Sequence, residues 1–242
     1  MKKNPWMELP RPDGSYVLDT DRADIARYNL RMRDQRAKVV PESIPEPFIG
    51  SPESATVVLL NLNPGHDESD RATHCCERFR GVMLNNLHHS LQDFPFYPLN
   101  PAFKGTGVEK WWSAILSKLR QEPGLDDSVI ATGLLVIEWF PYHSEISRLP
   151  TRPVCKSQEY SFELAKGFLD EEGVEVVRMR KGRHWLEVDP RFGSVPALKS
   201  QRPWISRGNM DAGLFDRIVS ALKRGRDRRG QRGSGRIDVT QS

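Results

Sequence analysis

The chain has 242 residues, of which 38% are hydrophobic and 28% are charged, with three cysteines and a net charge of +4. This length suits one α/β domain with extensions, or at most two small domains. No apolar run approaches the roughly 20 residues of a membrane helix, and the N-terminus lacks the apolar stretch of a secretory signal. A cytoplasmic protein without membrane association is therefore predicted.

The cysteine spacing argues against disulfide-rich and zinc-binding proteins, and the excess positive charge belongs to the C-terminal tail. Cys75, Cys76 and Cys155 show no CxxC spacing, so neither a disulfide framework nor a structural zinc site is expected. Residues 223–242 hold seven cations and two anions, which leaves a net charge of about −1 for residues 1–222. This Gly/Arg-rich tail is predicted to be disordered, and it either attracts phosphates without sequence preference or only keeps the chain in solution.

The first predicted elements form an N-terminal extension, residues 1–46. Residues 1–17 are rich in proline, glycine and charge and are expected to be extended. Residues 19–37 combine helix formers with a thin apolar stripe, which predicts a peripheral helix. Residues 39–55 carry four prolines and are predicted to be a linker on the surface.

Residues 47–222 are predicted to form the main domain. Nearly continuous apolar runs predict buried strands at 56–63, 133–139 and 174–179, and the segment up to Trp204 and Ile205 is expected to add a fourth. The predicted helices cover 81–92, 105–124, 157–173 and 211–223, with an aromatic, proline-rich loop at 93–107. This alternation predicts a three-layer α/β/α sandwich around a mostly parallel four-stranded sheet.

Polar clusters follow each predicted strand. In sheets of this kind, ligands bind at the carboxyl ends of the strands, so these clusters predict a pocket at one sheet edge. The clusters are NLNPGH (61–66), EWFPYHS (138–144), RKGRHW (180–185) and SQRPWISRGN (200–209).

Asn63 is the main candidate for chemistry. It stands at a strand tip before Pro64, which stops the strand, and Gly65, which allows a turn or a close ligand approach. Its carboxamide can orient a water molecule or a carbonyl group through hydrogen bonds. The alternative is an Asx-type turn in which Asn63 bonds its own backbone.

The stretch NLNPG (61–65) resembles the first motif of the uracil-DNA glycosylase superfamily. Its mismatch-specific and single-strand-selective branches carry a Gly-x-Asn-Pro-Gly pattern after a buried strand, and the resemblance spans about Pro47 to Leu222. It implies a glycosylase-like fold that binds nucleic acid, with DNA favoured over RNA, and needs no metal or organic cofactor. It also implies hydrolysis of the N-glycosidic bond of a flipped base, with Asn63 positioning the water.

The expected substrate contacts come from the polar clusters and the aromatic loop. By the resemblance, the flipped base stacks on an aromatic ring, and its other contacts come from loop side chains. The candidate rings are Phe94, Phe96 and Phe103, and the other predicted contacts are Leu62, Pro64, Gly65, His66, Arg183, His184, Arg202 and Asn209.

The sequence departs from the family pattern at three positions. Asn61 stands where the family has glycine, and the late loop lacks the family's histidine, so Arg202 is the candidate for stabilising the leaving base. Glu138 is the polar position nearest to the family's pyrimidine-reading asparagine. Because a carboxylate repels a uracil carbonyl but accepts from amino and ring N–H groups, a base other than uracil is expected.

Other interpretations of the same residues stay open. Glu138 and His143 are a candidate acid/base pair, or else a satisfied strand-end glutamate and a surface histidine. The chain is then a monomeric glycosylase-like enzyme, a non-catalytic module that binds a base or nucleotide, or an unrelated α/β hydrolase in which Glu138, His143 and Arg183 converge.

Overall fold

A four-stranded mixed sheet forms the centre of the molecule in this computed structural model. The structure describes residues 3–11, 14–179 and 182–234, without the side chains of residues 68, 69, 71, 72 and 226–234. The strands are β1 (Phe48–Ile49), β2 (Val57–Asn61), β3 (Leu134–Glu138) and β4 (Glu175–Arg178). Their spatial order is β1-β3-β2-β4, in which β2 pairs in parallel with β3 and β4, and β1 pairs antiparallel with β3.

Helices surround this sheet. Helix α6 (Gln158–Leu169) packs on β3 and helix α3 (Glu77–Leu87) packs on β1, while α8 (Leu214–Ser234) packs on β2, β4 and α5 (Asp127–Gly133). None of the helices in the described part of the chain combines the length and the apolar character needed to cross a bilayer. The α-helices are α1 (Asp19–Arg31), α2 (Glu68–Cys75), α3 (Glu77–Leu87), α4 (Gly107–Ile115), α5 (Asp127–Gly133), α6 (Gln158–Leu169), α7 (Gly182–Val188) and α8 (Leu214–Ser234).

The register of the two central strands sets the position of the site. Residues 57–60 and 134–137 are at most 1% exposed, as the continuous apolar runs predict for strands covered on both faces. Strands β2 and β3 run in parallel and end together, with Asn61 opposite Glu138. The loops after both strands therefore begin side by side.

The predicted α/β class and the four-stranded sheet are confirmed, but the fourth strand lies elsewhere. It is β1, inside the segment predicted to be a linker, where two residues are too few to show any periodicity. The segment before Trp204 and Ile205 contributes one parallel bridge, between Ala197 and Arg178. Prolines at 196 and 203 have no N–H to donate, which explains why no longer ladder forms there.

Several helix boundaries also differ from those predicted. Helix α4 ends at Ile115, followed by a 3₁₀ turn at Leu119–Gln121, and the short helix α5 comes before β3 without having been predicted. The cluster at 180–185 lies partly in α7, and its residues 180 and 181 are outside the described residues. Helix α8 continues through the predicted tail as far as Ser234, and residues 235–242 of that tail lie outside the description.

The N-terminal region packs into the same core as the sheet. Trp6, Leu18 and Ile25 are buried in one hydrophobic cluster with the strand residues. The predicted peripheral helix, α1, therefore covers part of the main domain.

Candidate functional site

A cavity of about 390 Å³ opens at the carboxyl ends of β2 and β3. It lies at the sheet edge where the sequence predicts a ligand pocket. Its walls come from the segments after β2 and β3, from α2 and α4, and from Glu46 and Ile49 before and in β1. The predicted site residues that line it are Asn63, Pro64, Gly65, His66, Glu138 and His143.

Asn61 and Glu138 form the floor of this cavity. Asn61 Nδ2 donates a 2.9 Å hydrogen bond to Glu138 Oε1, across the β2–β3 pair. Glu138 is only 2% exposed, and a buried carboxylate is costly unless it has hydrogen-bonding partners. The asparagine inside the apolar strand β2 thus supplies a donor to the acid on the neighbouring strand.

Asn63 is held in one orientation beside this floor. Its Nδ2 donates to Pro64 O at 2.9 Å and to Ser144 Oγ at 3.2 Å. A main-chain carbonyl only accepts, so the amide nitrogen must point at Pro64, and neither bond uses the amide oxygen. In an Asx-type turn the side-chain oxygen accepts from a backbone N–H, whereas here the side-chain nitrogen donates to a carbonyl, so this contact is not the turn of the alternative interpretation. The side chain also lines the cavity.

His143 ties three segments of the cavity wall together. Its Nδ1 lies 2.6 Å from Gly65 O, and its Nε2 lies 2.9 Å from Ile44 O and 3.5 Å from Glu46 Oε2. It is 3% exposed, so it is not the surface histidine of the alternative interpretation. Burial lowers the pKa of His143 to about 4, against the effect of the two carbonyl acceptors, which favour a charged ring.

Glu46 brings a second carboxyl group to the cavity. Its Oε1 accepts a hydrogen bond from the Tyr97 hydroxyl, and it is 8% exposed. Burial, with Glu138 and Asp70 nearby, raises the pKa of Glu46 well above its ordinary value. A raised pKa favours the protonated carboxyl group and makes its ionised form a stronger base than an ordinary carboxylate, which is a property that acid/base chemistry uses.

Three histidine rings meet edge to face at the cavity wall. The ring centroids of His66, His74 and His143 are 5.2–6.2 Å apart, and His74 also stacks on Phe79. Burial, with the other two histidines nearby, lowers the pKa of His74 to about 3. Among the described side chains, no group of three or more histidine, cysteine or acidic residues is placed to hold a metal ion.

The aromatic wall comes from α4 and not from the predicted phenylalanines. Trp111 and Trp112 line the cavity, and Trp111 is 48% exposed. Phe96 and Phe103 are buried in the core, in edge contact with Trp112 and Phe79, and the half-buried Phe94 packs against the same core. The aromatic loop folds into two 3₁₀ turns, Tyr97–Leu99 and Pro101–Phe103, which place these rings in the interior.

The remaining predicted contacts lie outside this cavity. Leu62 is buried in the core, Arg183 is exposed on α7, and His184 packs edge-on against Trp139. Arg202 is exposed, with its guanidinium 5.2 Å from the Trp204 ring centroid. Asn209 donates to the main-chain oxygens of Arg202 and Trp204 and holds that loop together.

No protein-family model, curated protein or solved structure matches this chain. The resemblance to uracil-DNA glycosylases therefore stays a hypothesis, and the function has to be argued from the geometry of the site.

Sequence reasoning did not predict Glu46, Asp70, His74, Trp111 or Trp112 in the site. Glu46 lies in a proline-rich segment with no periodicity, so nothing local distinguishes it from a linker residue. The adjacent tryptophans Trp111 and Trp112 were the sequence feature that could have indicated an aromatic ring near the surface. Neighbouring positions on a helix point about 100° apart, so one of them was bound to lie closer to the surface.

Proposed function

We propose that this protein binds a nucleobase in the cavity and hydrolyses its N-glycosidic bond, on a three-layer α/β/α fold like that of the uracil-DNA glycosylases. The observation that carries the proposal is the placement of Asn63 and Glu138. Asn63 follows strand β2, and Glu138 is the last residue of β3, the parallel neighbour of β2. Both residues line one cavity together with the half-exposed ring of Trp111.

In this proposal Asn63 positions the attacking water. Because Pro64 O and Ser144 Oγ hold its amide nitrogen, the amide oxygen is the atom that accepts a hydrogen bond from water. An amide is a poor base, so the proton lost by the water passes to a cavity carboxylate. Glu46 suits that step in its ionised form, because a carboxylate whose pKa is raised is a stronger base.

The departing base needs a hydrogen-bond donor. The C1′–N bond breaks with its electron pair going to the base, while the water oxygen forms the new bond to C1′. His74 lines the cavity, and because its pKa is about 3 its imidazole is neutral at physiological pH. A neutral imidazole at this place can donate its N–H to the base as negative charge develops on it.

The chemistry of the cavity also suggests the class of base. Glu46, Glu138 and Asp70 offer acceptors, which favours a base edge with amino or ring N–H donors over one with carbonyl groups alone. Trp111 offers a ring on which a flipped base can stack.

The main chain at Gly65 is open to close approach by a ligand. Its φ lies outside the left-handed region, and a Cβ added there would meet no atom within 4 Å. The fold therefore does not require glycine at this position, and the open space faces a cavity that Gly65 lines.

The test is base release from single-stranded and duplex oligonucleotides that contain uracil, hypoxanthine, xanthine or an alkylated base. We expect release from at least one substrate, and Asn63→Ala should reduce the rate by about 10²–10³-fold. Asn85→Ala, at an exposed position on α3, is the matched control and should retain the rate. Absence of release from every substrate at high protein concentration would refute hydrolysis.

A non-catalytic base-binding module is the second candidate. Both ring nitrogens of His143 face main-chain carbonyls, which leaves neither for proton transfer with a substrate. Saturable binding of the oligonucleotides without base release would favour this second candidate. The three-residue hydrolase site is not formed, because Arg183 lies outside the cavity that Glu138 and His143 share.

A further inference from the structure

A second groove, of about 470 Å³, lies between the C-terminal half of α1 and the segment 148–154. Four arginines line it: Arg27 and Arg31 from the helix, and Arg148 and Arg152 from the segment. Within each pair the residues are four positions apart, and on α1 this spacing places both side chains on one face.

The charge of this groove is poorly compensated. Arg27 pairs with Asp24 at 3.1 Å, and Asp24 is the acidic residue in the lining. Arg31, Arg148 and Arg152 are exposed and make no ion pair with any residue in the described part of the chain. Guanidinium groups present a planar fork of N–H donors that matches the oxygens of a phosphate group.

The groove adjoins the first cavity along the chain. Ser147 lines the first cavity, and the next residue, Arg148, lines the groove. Their Cα atoms are about 3.8 Å apart. A strand whose backbone lies in the groove could therefore place a neighbouring base in the cavity, whereas a free base or nucleoside would have no phosphates for the arginines.

We infer that this arginine groove binds the phosphodiester backbone of a polynucleotide strand. The position of a base in the cavity rests on the proposed function, but phosphate binding by the groove stands without it. Met32 and Leu149 give the groove an apolar part that suits the sugars and bases of a single strand better than a fully hydrated duplex backbone.

The test measures binding of a fluorescent 20-nucleotide single strand with ordinary bases, by anisotropy at several salt concentrations. The triple variant Arg31→Gln, Arg148→Gln, Arg152→Gln should bind roughly tenfold more weakly or worse. The slope of log K against log salt should become shallower by about 2, since each lost phosphate contact contributes about 0.7. All three positions are exposed, so the fold should tolerate the changes.

The matched control removes the same charge elsewhere. Arg78, Arg183 and Arg202 are exposed and lie outside both cavities, and their triple Gln variant should keep the affinity and the salt slope. An equal loss in both variants would overturn the inference in favour of a net-charge effect. Groove-dependent binding to phosphatidylserine vesicles, with no binding to the oligonucleotide, would overturn it in favour of a lipid surface. Because this experiment measures binding and not base release, failure here and failure of hydrolysis are separate results.

Discussion

At the scale of single residues, the site depends on polar side chains that satisfy one another inside an apolar sheet. Asn61 is the example: it interrupts a buried strand, and its amide donates to Glu138 at the same level of the next strand. Leaving a buried acceptor without its donor costs about 1–3 kcal/mol or more, which outweighs the β-propensity lost by asparagine.

Among single residues, the partly buried His74 should make the stability of the protein depend on pH. The pKa of His74 is about 3 in the folded protein and near 6.5 in an unfolded chain. Between these values the unfolded state binds more protons, so the free energy of unfolding falls as the pH is lowered through this window. His74→Asn should make this dependence shallower between about pH 6.5 and 4, as measured by urea unfolding at each pH.

The slope, and not the stability at one pH, is the readout for His74. The variant also loses the stacking contact with Phe79, which lowers stability at every pH and leaves the slope unaffected. An unchanged slope would mean that folding leaves the pKa of His74 at its ordinary value.

At the scale of elements, helix α4 forms as the sequence predicts at its start. Thr106 Oγ1 accepts from Glu109 N at 3.3 Å, and Glu109 Oε2 accepts from Gly105 N at 3.1 Å, so this pair of side chains caps the start of the helix. The helix carries both cavity tryptophans, and its N-cap therefore supports the aromatic wall.

Thr106→Ala should lower the free energy of unfolding by about 1 kcal/mol, the usual effect of losing an N-cap side chain. The near-ultraviolet circular dichroism of the tryptophans should weaken, because the cap anchors the first turn of their helix. Thr106→Ser keeps the capping oxygen and should behave like the wild type. Equal stability of the alanine and serine variants would show that the hydrogen bond does not stabilise α4.

At the scale of the whole molecule, the N-terminal region supports the site from behind. Tyr142, next to His143, donates to Asp21 Oδ2 at 2.8 Å and accepts from Leu18 N at 3.2 Å. Asp21 Oδ1 accepts from Ser157 N at 3.0 Å, which joins α1 to the start of α6. These buried bonds connect residues more than a hundred positions apart in sequence.

Trp6→Ala should therefore destabilise the whole protein by about 3–5 kcal/mol, as expected for a fully buried large side chain. Trp6 packs edge-on against Tyr142, with ring centroids 6.0 Å apart. The measurement is urea unfolding followed by far-ultraviolet circular dichroism. Met7→Ala, at a 54% exposed position, should change stability by less than about 0.5 kcal/mol. Similar small effects for both variants would show that the N-terminal region folds apart from the core.

The sequence by itself determined the α/β class, the three longer strands and the place of Asn63 at a strand tip. These are local properties, since a strand buried on both faces must be apolar throughout and the proline that follows must end it. Only the tertiary structure decided that β1 completes the sheet, that Glu46 and Trp111 reach the cavity, and that Phe96 and Phe103 do not. Those placements depend on contacts between distant segments, such as Glu46 with His143 and Phe96 with Trp112, and no local periodicity specifies them.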